Sequence, residues 1–129
     1  MFTKAVREDE YVKLWIADGI MHSEFKPNCI ITLEVAKKIV QDRIDYSEGV
    51  SYPGLVDMRN IKRVEFRAMI HLASNHAYQL TNKVAVFSDM KISKYLFSIW
   101  IKFDKPPVPT RYFLDKGAAY LFLKDISAN

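Results

Sequence analysis

The chain has 129 residues, half of them apolar by the AVILMFWYC count and 26% charged, a balance that fits one globular domain and excludes a disordered or low-complexity chain. A single cysteine, Cys29, excludes an internal disulfide and a multi-cysteine zinc site. Nineteen Lys and Arg against fifteen Asp and Glu leave a net charge of +4, scattered except at Arg59, Lys62, Arg63 and Arg67, so no nucleic-acid partner is expected.

Tyr11 to Ile16 reads as a strand, followed by an Asp18-Gly19 turn signal and a second strand, Ile20 to Phe25. Asp-Gly between apolar-rich runs marks a hairpin, because both central turn positions need positive φ. Pro27-Asn28 breaks the pairing. Thr32 is the expected N-cap of a helix to about Tyr46, with Val35, Ala36, Ile39, Val40 and Arg43 or Ile44 facing inward. Ser47-Glu48-Gly49 stops it, Gly49 suiting a left-handed position.

Tyr52 to Met58 reads as a third, central strand. A loop begins at Asn60, and a helix from about Val64 to Leu80 follows, with Phe66, Met69, Ile70, Ala73, Ala77 and Leu80 on one face. Lys83 to Phe87 is a continuous apolar run of the kind buried on both faces. Ser88 or Asp89 would cap a helix over Met90 to Phe103, which the Lys105-Pro106-Pro107-Val108-Pro109 segment cannot continue. Arg111 to Leu114 is a short strand, and Asp115 caps a last helix to about Ile126, with Ala118, Ala119, Phe122 and Ile126 inward. The order ββαβαβαβα predicts an α/β fold: a mixed sheet of about five strands with about four helices, parallel in its later part, as one domain over residues 1–129 with a core at about 10–126.

The start, MFTKAVREDEYVKLW, carries no apolar h-region or small-residue cleavage site. The longest apolar stretch, Tyr95 to Phe103, is too short to span a bilayer. A cytoplasmic protein without an integral membrane segment is expected.

The run Gly54-Leu55-Val56-Asp57-Met58-Arg59-Asn60-Ile61, followed by a helix, resembles the STAS domain (sulfate transporter and anti-sigma-factor antagonist) and its SpoIIAA-like bacterial relatives. The resemblance also covers the hairpin-plus-helix before it and the Lys105 to Arg111 segment after it, and that last segment resembles one subgroup of uncharacterised SpoIIAA-like proteins. The resemblance implies regulation by protein binding, switched in anti-sigma antagonists by phosphorylation of a serine at the helix start. Here the matching stretch is Val64-Glu65-Phe66-Arg67-Ala68: Glu65 falls where the family has its acid, and Phe66 and Arg67 fall where it has hydroxyls. No Ser or Thr lies between Tyr52 and Ser74, so a phosphate switch cannot operate at that position.

Four constellations are candidates for chemistry. Arg59, Lys62, Arg63 and Arg67 stand at an expected helix start, where cations and exposed N–H groups suit a phosphate or anionic head group. The bland alternative is a solvated basic loop. Asp57, Asp89 and Asp115 each end an expected strand and could meet at Mg²⁺, although Asp89 and Asp115 also suit N-caps. His71 and His76, five apart on one helix, would point roughly 140° apart, a poor zinc pair; His22 lies on the hairpin, and Cys29 reads as an apolar filler. No metal, cofactor or catalytic set is expected.

The fourth is the 90–103 helix. Ile92, Tyr95, Leu96, Ile99, Trp100 and Phe103 span about 140°, enough to cover a sheet, and Phe97 and Ile101 fall outside that arc. So wide an apolar surface suggests a dimer interface, a partner-binding patch or a lipid-facing wall, with Lys94, Phe97 and Ile101 as its outer residues. The reading is a non-enzymatic regulatory module that binds a protein partner or a second copy. The alternative is a carrier or sensor of a lipid-like or anionic small molecule, akin to Sec14-type domains. Its cavity would lie between sheet and helices, with a basic residue of the Arg59–Arg67 stretch at the head group.

Overall fold

Alternating and continuous apolar runs assemble into one six-stranded mixed sheet in a computed structural model that describes residues 4–88 and 106–125. In chain order the elements are β1 (Arg7–Glu8), β2 (Val12–Ala17), β3 (Ile20–Phe25), β4 (Cys29–Ile31), α1 (Leu33–Ser47), β5 (Tyr52–Asp57), β6 (Ile61–Val64), α2 (Phe66–Leu72), a 3-10 turn (His76–Tyr78), β7 (Thr81–Phe87), β8 (Thr110–Phe113) and α3 (Lys116–Lys124). The main sheet runs β1-β2-β3-β5-β7-β8. β1, β2 and β3 pair antiparallel, and β3, β5, β7 and β8 pair parallel.

The β2–β3 hairpin turns on Asp18 and Gly19, both at positive φ (56° and 72°), the backbone that its two-residue loop requires. Thr32 caps α1 by accepting the Val35 N–H at 3.2 Å, and Val35, Ala36, Ile39 and Val40 are buried as the spacing predicts. The helix ends through Glu48 and Gly49, both left-handed. Asp115 caps α3 by accepting the Ala118 N–H at 2.9 Å. Ala119 and Phe122 of that helix are buried and Ala118 is half-buried, while Ile126 lies outside the described residues.

Strand alternation sends side chains to two apolar layers. Met21, Val84 and Val86 join α1, Ala68 and Tyr78 on one face; Ile20, Leu55, Ala85 and Phe87 join Ala119, Phe122 and Leu123 of α3 on the other. β7 is buried from Lys83 to Phe87, as its unbroken apolar run predicts.

Two expectations need correction. The loop from Asn60 contains β6, which pairs parallel with β4 in a separate two-stranded sheet. Glu65 N–H extends that contact by donating to Ile31 O at 2.9 Å. The single helix expected over Val64 to Leu80 is a strand end, the short α2 and the 3-10 turn. Ser74 breaks it: its hydroxyl donates to His71 O at 2.6 Å and accepts the Ala77 N–H at 3.3 Å, so local bonds replace the helical ladder.

The inward phase of α2 changes too. Ala68 is fully buried and Leu72 packs on the core, whereas Phe66 and Ile70 are 51% and 48% exposed; Ala73, just past the helix, is buried as expected. The expected 90–103 helix lies outside the described residues.

Candidate functional site

Three neighbouring strands place Met21, Gly54 and Val84 in one register row on the face toward α1. The middle member has no side chain, so the row has a gap at its centre. A Cβ built on Gly54 would meet nothing closer than Met21 O at 3.9 Å and Thr81 Cγ2 at 4.0 Å. Glycine inside a strand often marks such a hollow. Here it opens into a cavity of about 110 Å³ between sheet and helices.

Its sheet wall adds Phe25, Val56 and Met58. Ile39, Val40 and Arg43 of α1, Leu72 of α2, and Ala77 and Tyr78 of the 3-10 turn close the other side. Ser23 and Thr81 add hydroxyl groups to a mostly apolar lining.

Arg43 is the one guanidinium in that wall. Its Nη2 donates to Ala77 O at 2.9 Å and to Gln79 O at 2.6 Å, which fixes the 3-10 turn against α1. No carboxylate lies within ion-pair distance of it among the described residues. Burial disfavours its charged form and lowers its pKa to about 10. Tyr78 is turned to another task, its hydroxyl lying 3.4 Å from Thr110 Oγ1, and burial raises its pKa.

The basic quartet does not line this cavity. Arg59 is held by Asp57, with Nη2 2.7 Å from Oδ2 and Nε 3.0 Å from Oδ1, and its guanidinium stacks over Phe87. Lys62 and Arg63 are exposed on β6, and Arg67 is exposed in the first turn of α2. Phe66 is the first residue of that helix. Glu65 stands at its N-cap but makes no side-chain bond there; its Oε1 instead accepts the Leu33 N–H at 3.2 Å, at the start of α1.

Of the three aspartates, Asp57 is buried in its pair with Arg59, Asp115 is an N-cap, and Asp89 lies outside the described residues. Among the described residues no group of three or more His, Cys, Asp or Glu is placed to hold a metal ion. His71 and His76 do not share one helix as expected; the break after Leu72 brings their rings to 6.1 Å. Burial lowers the His71 pKa, helped by His76 and Lys37. Cys29 is buried, and burial raises its thiol pKa, which fits an unreactive filler. Lys94, Phe97 and Ile101 lie outside the described residues.

Sequence reasoning missed two polar placements on the α3 side. Lys83, 6% exposed, donates to Phe122 O at 3.0 Å and to Asp125 O. His22, 4% exposed, stacks on Trp15 with centroids 4.7 Å apart and leans on Tyr120. Its Nε2 has no partner among the described residues. The available signal for Lys83 was a lysine beginning an unbroken apolar run.

A solved structure with this architecture is an uncharacterised DUF3478-family protein with a SpoIIAA-like fold from Shewanella loihica PV-4. It aligns with a TM-score of 0.59 at 17% identity, covering 87% of this chain and 91% of that one. The fold is therefore SpoIIAA-like, a mixed α/β sheet flanked by helices. Residues 14–127 match the family described as Domain of unknown function (DUF7793), and the chain belongs to it. No curated protein matches the chain. No helix among the described residues is long and apolar enough to cross a membrane.

Proposed function

We propose that this chain is a non-catalytic binding module that senses or carries a small apolar or amphipathic molecule in the cavity between its sheet and α1. The observation that carries this reading is the gap at Gly54 in the Met21–Gly54–Val84 row, which borders a cavity of about 110 Å³ with a mostly apolar lining. Close-packed cores leave few voids larger than a water molecule, and small-molecule sites are concave and mostly apolar. Native mass spectrometry of the purified chain, beside a Gly54→Leu variant that fills the gap, tests it. Added mass on the wild type that disappears in the variant supports the reading. Bare protein in both, with no response of the wild type to apolar probes in NMR titration, sinks it.

A second reading is supported by the apolar spacing in the sequence of residues 90–103: a regulatory module that docks a protein partner or a second copy through Lys94, Phe97 and Ile101. Without a phosphoacceptor between Tyr52 and Ser74, such docking needs another control, and cavity occupancy would supply one. Light scattering separates the readings: a monomer at high concentration that still takes up the apolar probe favours the cavity alone.

A further inference from the structure

We infer that the occupant of the cavity is a short monocarboxylic acid whose carboxylate is held by Arg43, an inference that rests on the binding reading above. A guanidinium carries five N–H donors. Both hydrogen bonds of Arg43 leave from Nη2, so the donors on Nε and Nη1 remain for a ligand. A half-buried cation without a counter-charge is costly, and an anion in the cavity relieves that cost while gaining charge-assisted hydrogen bonds.

The number of cations sets the charge of the ligand. Among the described residues Arg43 is the one basic residue in the lining, whereas a phosphate dianion is ordinarily met by several bases or a run of backbone N–H groups. Arg59 belongs to Asp57, and Lys62, Arg63 and Arg67 do not line the cavity. One negative charge therefore fits. The volume sets the tail: about 110 Å³ is less than the roughly 150 Å³ that accommodates benzene in an engineered apolar cavity, so a tail of about six carbons or fewer is expected. Gly54 supplies the floor for that tail, since any larger side chain would occupy the same space.

The test uses pentanoate and its neutral counterpart 1-pentanol, each titrated into the full chain at pH 7 and followed by amide chemical shifts. Pentanoate should bind at least about tenfold more tightly than 1-pentanol, with shifts centred on Gly54, Val84 and Arg43. Arg43→Gln should remove the preference, bringing pentanoate to or below the affinity of 1-pentanol, because a carboxylate without its cation is costly to desolvate, and Gly54→Leu should abolish binding of both. Arg43→Gln also removes donors to the 3-10 turn and can fail to fold. The wild-type comparison then decides alone, with Arg43→Lys, which keeps the charge, expected to retain part of the preference. Equal affinity of the two probes in the wild type overturns this inference while leaving the apolar cavity reading intact. Binding of neither probe overturns both.

Discussion

Lys83 Nζ lies 3.0 Å from the carbonyl oxygen of Phe122, so a lysine on a buried strand closes the last turn of α3. A second bond to Asp125 O and the Phe122 ring 5.0 Å from the ammonium complete its surroundings. The last carbonyls of a helix have no partners of their own, and a cation there also opposes the negative end of the helix dipole. Lys83→Met keeps most of the volume and removes the donor. It should lower unfolding stability by about 1–3 kcal/mol, the cost of leaving buried acceptors unmet, measured by urea denaturation. Unchanged stability would show that water serves those carbonyls equally well.

Glu65 links two helices through one carboxylate oxygen. Its Oε1 accepts the Leu33 N–H at 3.2 Å while Thr32 takes the Val35 N–H, so two of the unpaired donors of α1 are met, one of them from outside the helix. Glu65→Gln keeps an acceptor and should be close to neutral. Glu65→Ala should cost about 0.5–1 kcal/mol, the lower range for a lost cap because the site is exposed. Equal losses in the two variants would assign the effect to charge instead of the hydrogen bond.

These contacts show where the sequence was legible. The hairpin was readable because Asp18 and Gly19 carry its turn chemistry locally, and α1 and α3 because Thr32 and Asp115 announce their starts within three residues of the N–H groups they cap. β4 and β6 were hidden because each is short and is stabilised by the other, with Cys29 paired to Ile61 across α1 and β5. Apolar spacing continues past Ser74 and predicts one unbroken helix, whereas the Ser74 hydroxyl diverts the backbone there. At the site, a charged position in the α1 stripe was visible at Arg43. The cavity was not, because it depends on Met21 and Val84 flanking Gly54 from other strands. The acid-holding role expected of the Arg59–Arg67 stretch passes, in our proposal, to a residue that lines the cavity.

His22 should make stability depend on pH. Burial lowers its pKa below the usual 6.5, the positive charge of Lys116 adds to this, and a bond to the Ala17 backbone and the charge of Asp18 partly oppose it. The folded chain therefore keeps the ring neutral where the unfolded chain begins to protonate. Its contribution is fully present above about pH 6.5 and is lost as pH falls from there toward the lower folded value. His22→Phe preserves the stack on Trp15 and removes the titration. The urea midpoint of the variant should fall less steeply than that of the wild type between about pH 7 and pH 5, with His71 supplying a remaining slope. Parallel curves for the two proteins would exclude His22 as a source.

The exposed bases should be dispensable for cavity binding. Lys62 and Arg67 are exposed, and neither lines the cavity. A Lys62→Ala, Arg67→Ala double variant should bind pentanoate within about twofold of the wild type, because solvent-screened charges outside the lining add little. A tenfold loss would return the head group to the basic stretch.

Gly54→Ala separates the backbone role of this glycine from its role as a void. Its φ is not in the left-handed region, and an added Cβ meets only ordinary contacts at 3.9–4.0 Å, so alanine fits without strain. The substitution reduces the freedom of the unfolded chain and fills a little of the cavity. It should therefore raise stability by about 0.4–1 kcal/mol. The same methyl group takes space from the ligand, so pentanoate affinity should fall while stability rises. A position that gains stability and loses binding on one substitution is kept as glycine for its occupant. If Gly54→Ala instead destabilises the chain, β5 needs the glycine for its own packing, and the gap would be a consequence of the strand.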